Sequence, residues 1–292
     1  MTAAPFATLS FERSVAAPIG TLYQAWIAPA ARAVWAPPAP GVTVEFLESD
    51  ARIGGREVSI CRFPGTPDVH VEAGWLQLVP DSVTVNYEVV SSKGAIDSVA
   101  LVTAQFSGDA KASKVAVTVQ LSSQAQDMAA GYTQGFDAGI ANLTGVAERT
   151  MILQRVIKAP VSVVWGAWMN PETLPKWWGP DGFSCKTSRI DLRQGGEWVF
   201  DMIAPDGTVF PNHHRYGQVI PEVRLDYALL WGENGPKHAD AWASFSEEGG
   251  ATRVTLGMVM ATAKEYQDAK GFGAEALGLQ TLGKLARSIG AD

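Results

Sequence analysis

Hydrophobic and polar positions alternate along much of the chain, and they do so twice in the same order. A short alternating run carrying an arginine opens each half, LSFERSV and MILQRVI. Both predict strands, because successive side chains of a strand point to opposite faces. An Ala-Pro follows at residues 17–18 and 159–160, and proline is favoured where a helix starts. Apolar pairs at i, i+3 (Tyr23/Trp26 and Trp165/Trp168) then predict a short helix ending near Pro29 or Pro171. In the second half, EWVFDMI, HHRYGQVI, RLDYALLW, ADAWASFS and TRVTLGMVM alternate between Gly, Pro, Asp and Asn turns, the pattern of an antiparallel meander. The segment AKEYQDAKGFGAEALGLQTLGKLARSI keeps helical periodicity through Phe272, Leu279, Leu282, Leu285 and Ile289 and predicts one long C-terminal helix. Strand, short helices, meander and long helix together predict an α+β domain with a sheet wrapped around one helix.

The halves align with each other. At an offset of 142, Arg13, Pro18, Tyr23, Trp26, Pro29 and Trp35 fall on Arg155, Pro160, Trp165, Trp168, Pro171 and Trp177. At an offset of 141, the Gly-Gly at 54–55 falls on that at 195–196, and Pro80 falls on Pro221. Such a period is far longer than a solenoid repeat. The chain is expected to be a tandem duplication, with domains at 1–148 and 149–292.

Parity along the strands selects candidate site residues. Trp198, Phe200 and Met202 share one face of their strand, and Glu197, Val199 and Asp201 share the other. Tyr227, Leu229 and Trp231 form the heavier face of a later strand. In LPKWWGPDGF, Trp177 and Trp178 are adjacent and cannot both enter one core from a regular element. Trp177 is therefore expected to pack on the helix, and Trp178 to line the interior with Phe183, Trp198, Phe200, Met202, Tyr227, Trp231 and Phe272. In the first half Ala36 stands where Trp178 does, and Val58, Ile60 and Arg62 are expected on the face of Trp198, Phe200 and Met202. His70, Glu72, Trp75, Asn86 and Tyr87 are its polar and aromatic candidates. Of the His213-His214 pair, His214 shares parity with Tyr216 and is the one expected inward. Neighbouring histidines on a strand face opposite ways, so no metal site is expected. His214, Tyr216 and Glu233, the last at the rim, are the acid/base candidates. There is no Gly-x-Ser-x-Gly elbow. GFGAEA at 271–276 lacks a following acidic partner for a ribose, so no nucleotide cofactor is expected.

Composition narrows the setting. The 292 residues carry a net charge of −7 without a basic cluster, which argues against nucleic acid as a partner. No run approaches the roughly 18 apolar residues of a membrane span, and no basic leader precedes an apolar run. Two isolated cysteines fit a reducing compartment, so a cytoplasmic location is expected. Seven of the ten tryptophans lie after residue 150, and the second domain is expected to hold the main site.

The blocks APVSVVW, PETLPKWWGP, GGEW and APDG closely resemble the family of activator-of-heat-shock-protein-90-ATPase homologues, within the START/polyketide-cyclase (SRPBCC) superfamily. The match covers residues 150–290; the first half matches more loosely. The resemblance implies two tandem helix-grip domains, each a curved antiparallel sheet around a long C-terminal helix with an apolar cavity between them. It implies a small hydrophobic ligand, aromatic or polyketide- or lipid-like. The alternatives are an enzyme (lyase, cyclase or hydrolase) acting on such a molecule, and a co-chaperone. The two domains are expected to pack on each other, and homo-oligomerisation is left open.

Overall fold

In the computed structural model, which describes residues 6–123 and 127–291, each half of the chain forms the same antiparallel sheet. Two units separate by their internal contacts, Met1–Glu148 and Arg149–Asp292. The first contains β1 (Phe6–Val15), α1 (Ile19–Ile27), α2 (Pro29–Trp35), β2 (Thr43–Ser49), β3 (Arg56–Arg62), β4 (Val69–Val79), β5 (Val83–Ser92), β6 (Ala95–Gly108), β7 (Ser113–Ser123) and α3 (Met128–Ala147). The second contains β8 (Thr150–Ile157), α4 (Val161–Trp168), α5 (Leu174–Trp177), β9 (Ser184–Ile190), β10 (Glu197–Ile203), β11 (Val209–Ile220), β12 (Arg224–Trp231), β13 (Lys237–Glu248), β14 (Ala251–Met260), α6 (Ala263–Gly271) and α7 (Ala274–Ser288). The strand orders are β1-β7-β6-β5-β4-β3-β2 and β8-β14-β13-β12-β11-β10-β9. Each unit is a helix-grip domain. Six strands run as a meander, and the opening strand returns to pair with the last.

Local chemistry sets the element boundaries. Pro18 and Pro160 occupy the positions just before α1 and α4, where a missing N–H leaves no helical bond unmade. Thr262 caps α6 in a reciprocal capping box with Glu265. At Gly257 of β14, an added Cβ would lie 2.1 Å from the Trp242 ring. The indole of β13 therefore lies flat over a glycine on the neighbouring strand, and Trp242 is buried on the outer face.

The single long helix expected at the C-terminus is two helices. Gly273 adopts φ +82°, a left-handed conformation that glycine tolerates, and separates α6 from α7. Only α7 carries buried residues; α6 has none. Of the helix glycines, Gly278 marks a close approach, since a Cβ there would lie 2.2 Å from Leu153. Among the described residues no helix is long and apolar enough to cross a membrane.

Candidate functional site

The two tryptophans that open the second domain's loop diverge because the helix ends between them. Trp177 is the last residue of α5. Trp178 has φ −65° and ψ 141°, extended backbone, so its side chain leaves in another direction. Trp177 is 1% exposed, donates Nε1–H to Ala167 O at 3.2 Å and packs edge-on against Trp168. Trp178 turns to the sheet, with its ring 5.8 Å from Trp198 and 5.4 Å from His214. The turn that follows is tied to α7. Lys284 Nζ donates to the carbonyls of Pro180 and Phe183, Asp181 N–H donates to Gln280, and Arg287 pairs with Asp181. The loop thus holds Trp178 at a set depth relative to the helix.

His214 lies at the centre of an aromatic enclosure on the inner face. β10 and β11 pair Trp198 with His214, and β11 and β12 pair Tyr216 with Tyr227. The imidazole stacks on Tyr227 at 5.0 Å and meets Phe200 and Trp198 edge-on at 5.1 and 5.4 Å. Trp198 stacks on Phe200 at 3.8 Å, and its Nε1–H donates to Thr187 Oγ1 at 3.0 Å. Burial pushes the His214 pKa down to about 3, with His238 and His213 adding like-charge repulsion. The imidazole is neutral at physiological pH. Burial also raises Tyr216 and Tyr227, so both phenols stay protonated donors.

His213 faces the other way. It is 1% exposed on the outer side of the strand, and its Nε2 lies 2.7 Å from Glu197 Oε2. Glu197 also accepts from Arg189, which holds its carboxyl below the usual carboxylate range. Arg189 reaches Glu233 as well, at 2.9 Å. Glu233 is therefore part of this outer charged group and does not rim the interior with His214, because the turn after β12 carries it to the opposite face.

The other expected lining residues divide. Phe183 and Met202 are partly buried beside the loop: Phe183 is tilted against Phe210, and Met202 Sδ lies 3.0 Å from where a Cβ on Gly179 would stand. Trp231 and Phe272 lie outside the enclosure, at 52% and 67% exposed. Trp231 follows a register shift at Leu229/Leu230 and stacks on His238 at 4.1 Å. Phe272 sits where α6 ends and the helix breaks. Trp165, Trp168 and Phe245, which strand parity alone did not single out for the site, pack edge-on into the same core.

The first domain inverts the expected face of β3. Glu57 and Ser59 lie where Trp198 and Phe200 lie in β10; of the expected Val58, Ile60 and Arg62, only Ile60 is buried. The Gly-Gly turn sets this register, with Gly54 N–H donating to Trp75 O and Trp75 N–H to Gly55 O. Trp75 and Asn86 are inward and buried, whereas His70 and Glu72 are exposed and Tyr87 covers Gly74 from outside. Among the described residues no group of three or more His, Cys, Asp or Glu could hold a metal ion.

Residues 158–289 match the model of the Activator of Hsp90 ATPase homolog 1-like protein family. The resemblance carried by the WWGP, GGEW and PDG blocks therefore stands for the second domain. The matched span contains the tryptophan loop, the His214 enclosure and α7. No curated protein matches the chain. Among solved structures, a protein from Nitrosomonas europaea is 28% identical over 49% of this chain and 95% of its own, with a TM-score of 0.45. An uncharacterised protein from Rhizobium leguminosarum is 27% identical over 49% and 95%, with a TM-score of 0.43. The di-domain ARO/CYC BexL from the BE-7585A biosynthetic pathway is 17% identical over 98% and 99%, with a TM-score of 0.39.

Proposed function

We propose that the second domain binds a small, largely apolar, aromatic molecule inside its grip. The observation that carries this reading is the neutral His214 imidazole enclosed by Trp178, Trp198, Phe200 and Tyr227. A neutral imidazole among aromatic rings offers one donor and one acceptor, a handle for one oxygen or N–H of a ligand. The surrounding rings supply stacking area for the rest of it. A histidine held near a pKa of about 3 is a weak base at neutral pH, since general-base efficiency peaks near the operating pH. His214 therefore serves as a hydrogen-bonding group, which favours binding over acid/base turnover as the role of this site.

Native mass spectrometry of the freshly purified protein, with organic extraction, tests the reading. A retained apolar molecule that is lost in Trp198→Ala supports it. A bare protein whose tryptophan fluorescence ignores a panel of aromatic and lipid ligands refutes it.

A further inference from the structure

The interior of the first domain is chemically unlike that of the second at matched positions. The registers coincide. Glu57 pairs with Ala73 as Trp198 pairs with His214; Ala73 pairs with Glu88 as His214 pairs with Leu229; Trp75 pairs with Asn86 as Tyr216 pairs with Tyr227. Glu57, Asn86 and Glu88 thus stand where the second domain has Trp198, Tyr227 and Leu229. On α2, Arg32 takes the place of Leu174 at the offset that aligns Trp35 with Trp177. The second domain shows that this fold does not need ionisable groups at these positions, and burying them is unfavourable unless they are partnered.

Part of the set is satisfied internally. Arg32 pairs with Glu57, at 15% and 4% side-chain exposure, and Ser49 Oγ–H donates to Glu57 Oε2 at 3.1 Å. The guanidinium lies 4.8 Å from the Phe46 ring centre and 5.7 Å from that of Trp75. Asn86 Nδ2–H donates to Glu88 Oε1 at 3.2 Å. Two groups are left over. Trp75, 2% exposed, has an Nε1–H with no partner. Glu88 Oε2 has none among the described residues, and Glu88, flanked on the inner face by buried Ala73 and Ala100, keeps water-accessible surface. Nearby, Tyr132 of α3 reaches Ser98 on the sheet at 3.2 Å and Phe136 stacks on Phe11.

We propose that the first domain is a binding site in its own right, for a small phenol-type molecule whose oxygen accepts from Trp75 Nε1–H and whose hydroxyl engages Glu88. The Arg32 charge nearby disfavours an ammonium ligand, and the Phe46 and Trp75 rings favour a flat one. Burial raises the Glu88 pKa, while Arg32 and Asn86 pull it down, so the carboxyl can donate to or accept from such a hydroxyl.

The test is a titration of the full chain with catechol, followed through the indole 1H–15N resonances, with Trp75 assigned by its loss in Trp75→Phe. Catechol is expected to shift the Trp75 resonance saturably. Toluene, a ring without oxygens, is expected to leave it in place. Glu88→Leu is expected to weaken catechol binding about tenfold or more, the worth of a hydrogen bond to a carboxyl group. Glu88→Met keeps the side-chain length without a good partner for the hydroxyl and, should the leucine variant not fold, serves as the deciding variant with the same expected loss. An unmoved Trp75 resonance, an equal response to toluene, or undiminished binding in the glutamate variant overturns the proposal. The Trp178 and Trp198 indoles report the second domain separately, so the two sites stand or fall independently.

Discussion

Arg32→Leu is the substitution whose consequence the two interiors define best, because it installs the residue that the second domain carries at the matching position. Arg32 and Glu57 form an ion pair at 15% and 4% side-chain exposure. Removing the cation leaves Glu57 buried with only Ser49 as a hydrogen-bond donor. Breaking one half of a buried pair typically destabilises by about 3–5 kcal/mol, whereas neutralising both halves is often close to neutral. Arg32→Leu is therefore expected to destabilise the first domain by about 3–5 kcal/mol. Adding Glu57→Gln, which keeps an acceptor for Ser49, is expected to recover all but about 1–2 kcal/mol of that. The assay is urea unfolding of the full chain by circular dichroism, with amide exchange in β3 assigning the affected transition. With a slope of about 1–3 kcal/mol per molar urea, the single substitution should lower the midpoint by roughly 1–5 M. A single variant within about 1 kcal/mol of the parent, or a double variant no more stable than the single, refutes the reasoning.

Three further outcomes are expected. Gly257→Ala drives a Cβ to within 2.1 Å of the Trp242 ring and should destabilise the second domain by about 1–3 kcal/mol, read as a lower unfolding temperature; Gly145→Ala, where a Cβ meets nothing within 4 Å, is the control. His214 has its pKa lowered from 6.5 to about 3, so the unfolded chain binds its proton more readily. Its stabilising contribution is full above pH 6.5 and is lost as pH falls toward 3, which amounts to about 2 kcal/mol between pH 7 and pH 5; His214→Phe should remove that part of the pH dependence of urea unfolding. Burial pushes the Cys185 thiol up to about 12, and its Sγ–H donates to Trp178 O at 3.5 Å. It should therefore react with Ellman's reagent at pH 8 far more slowly than an ordinary thiol, and rapid labelling of Cys185 in a Cys61→Ser background in native buffer would contradict this.

The sequence by itself determined the architecture. The offset of 141–142 between Pro18/Pro160, Trp35/Trp177 and the two Gly-Gly pairs revealed two copies, and alternation placed the strands and turned His214 to the inner face with Tyr216. These features are local. A strand's side chains alternate wherever the backbone is extended, and a Pro or Gly-Gly turn acts on its immediate neighbours. Tertiary structure decided what local pattern cannot express. The left-handed Gly273 broke the C-terminal helix and left Phe272 outside. Trp231, the last residue of β12, stays half exposed against His238, and the following turn took Glu233 to Arg189 on the outer face. In β3 hydrophobicity pointed to the wrong face. Val58 looks like a core residue, but the interior it would enter is lined by Arg32 and Glu88, and Glu57 turns inward to meet the cation. An apolar pattern marks the inner face only where the interior is apolar, and that property belongs to residues brought together from distant parts of the chain.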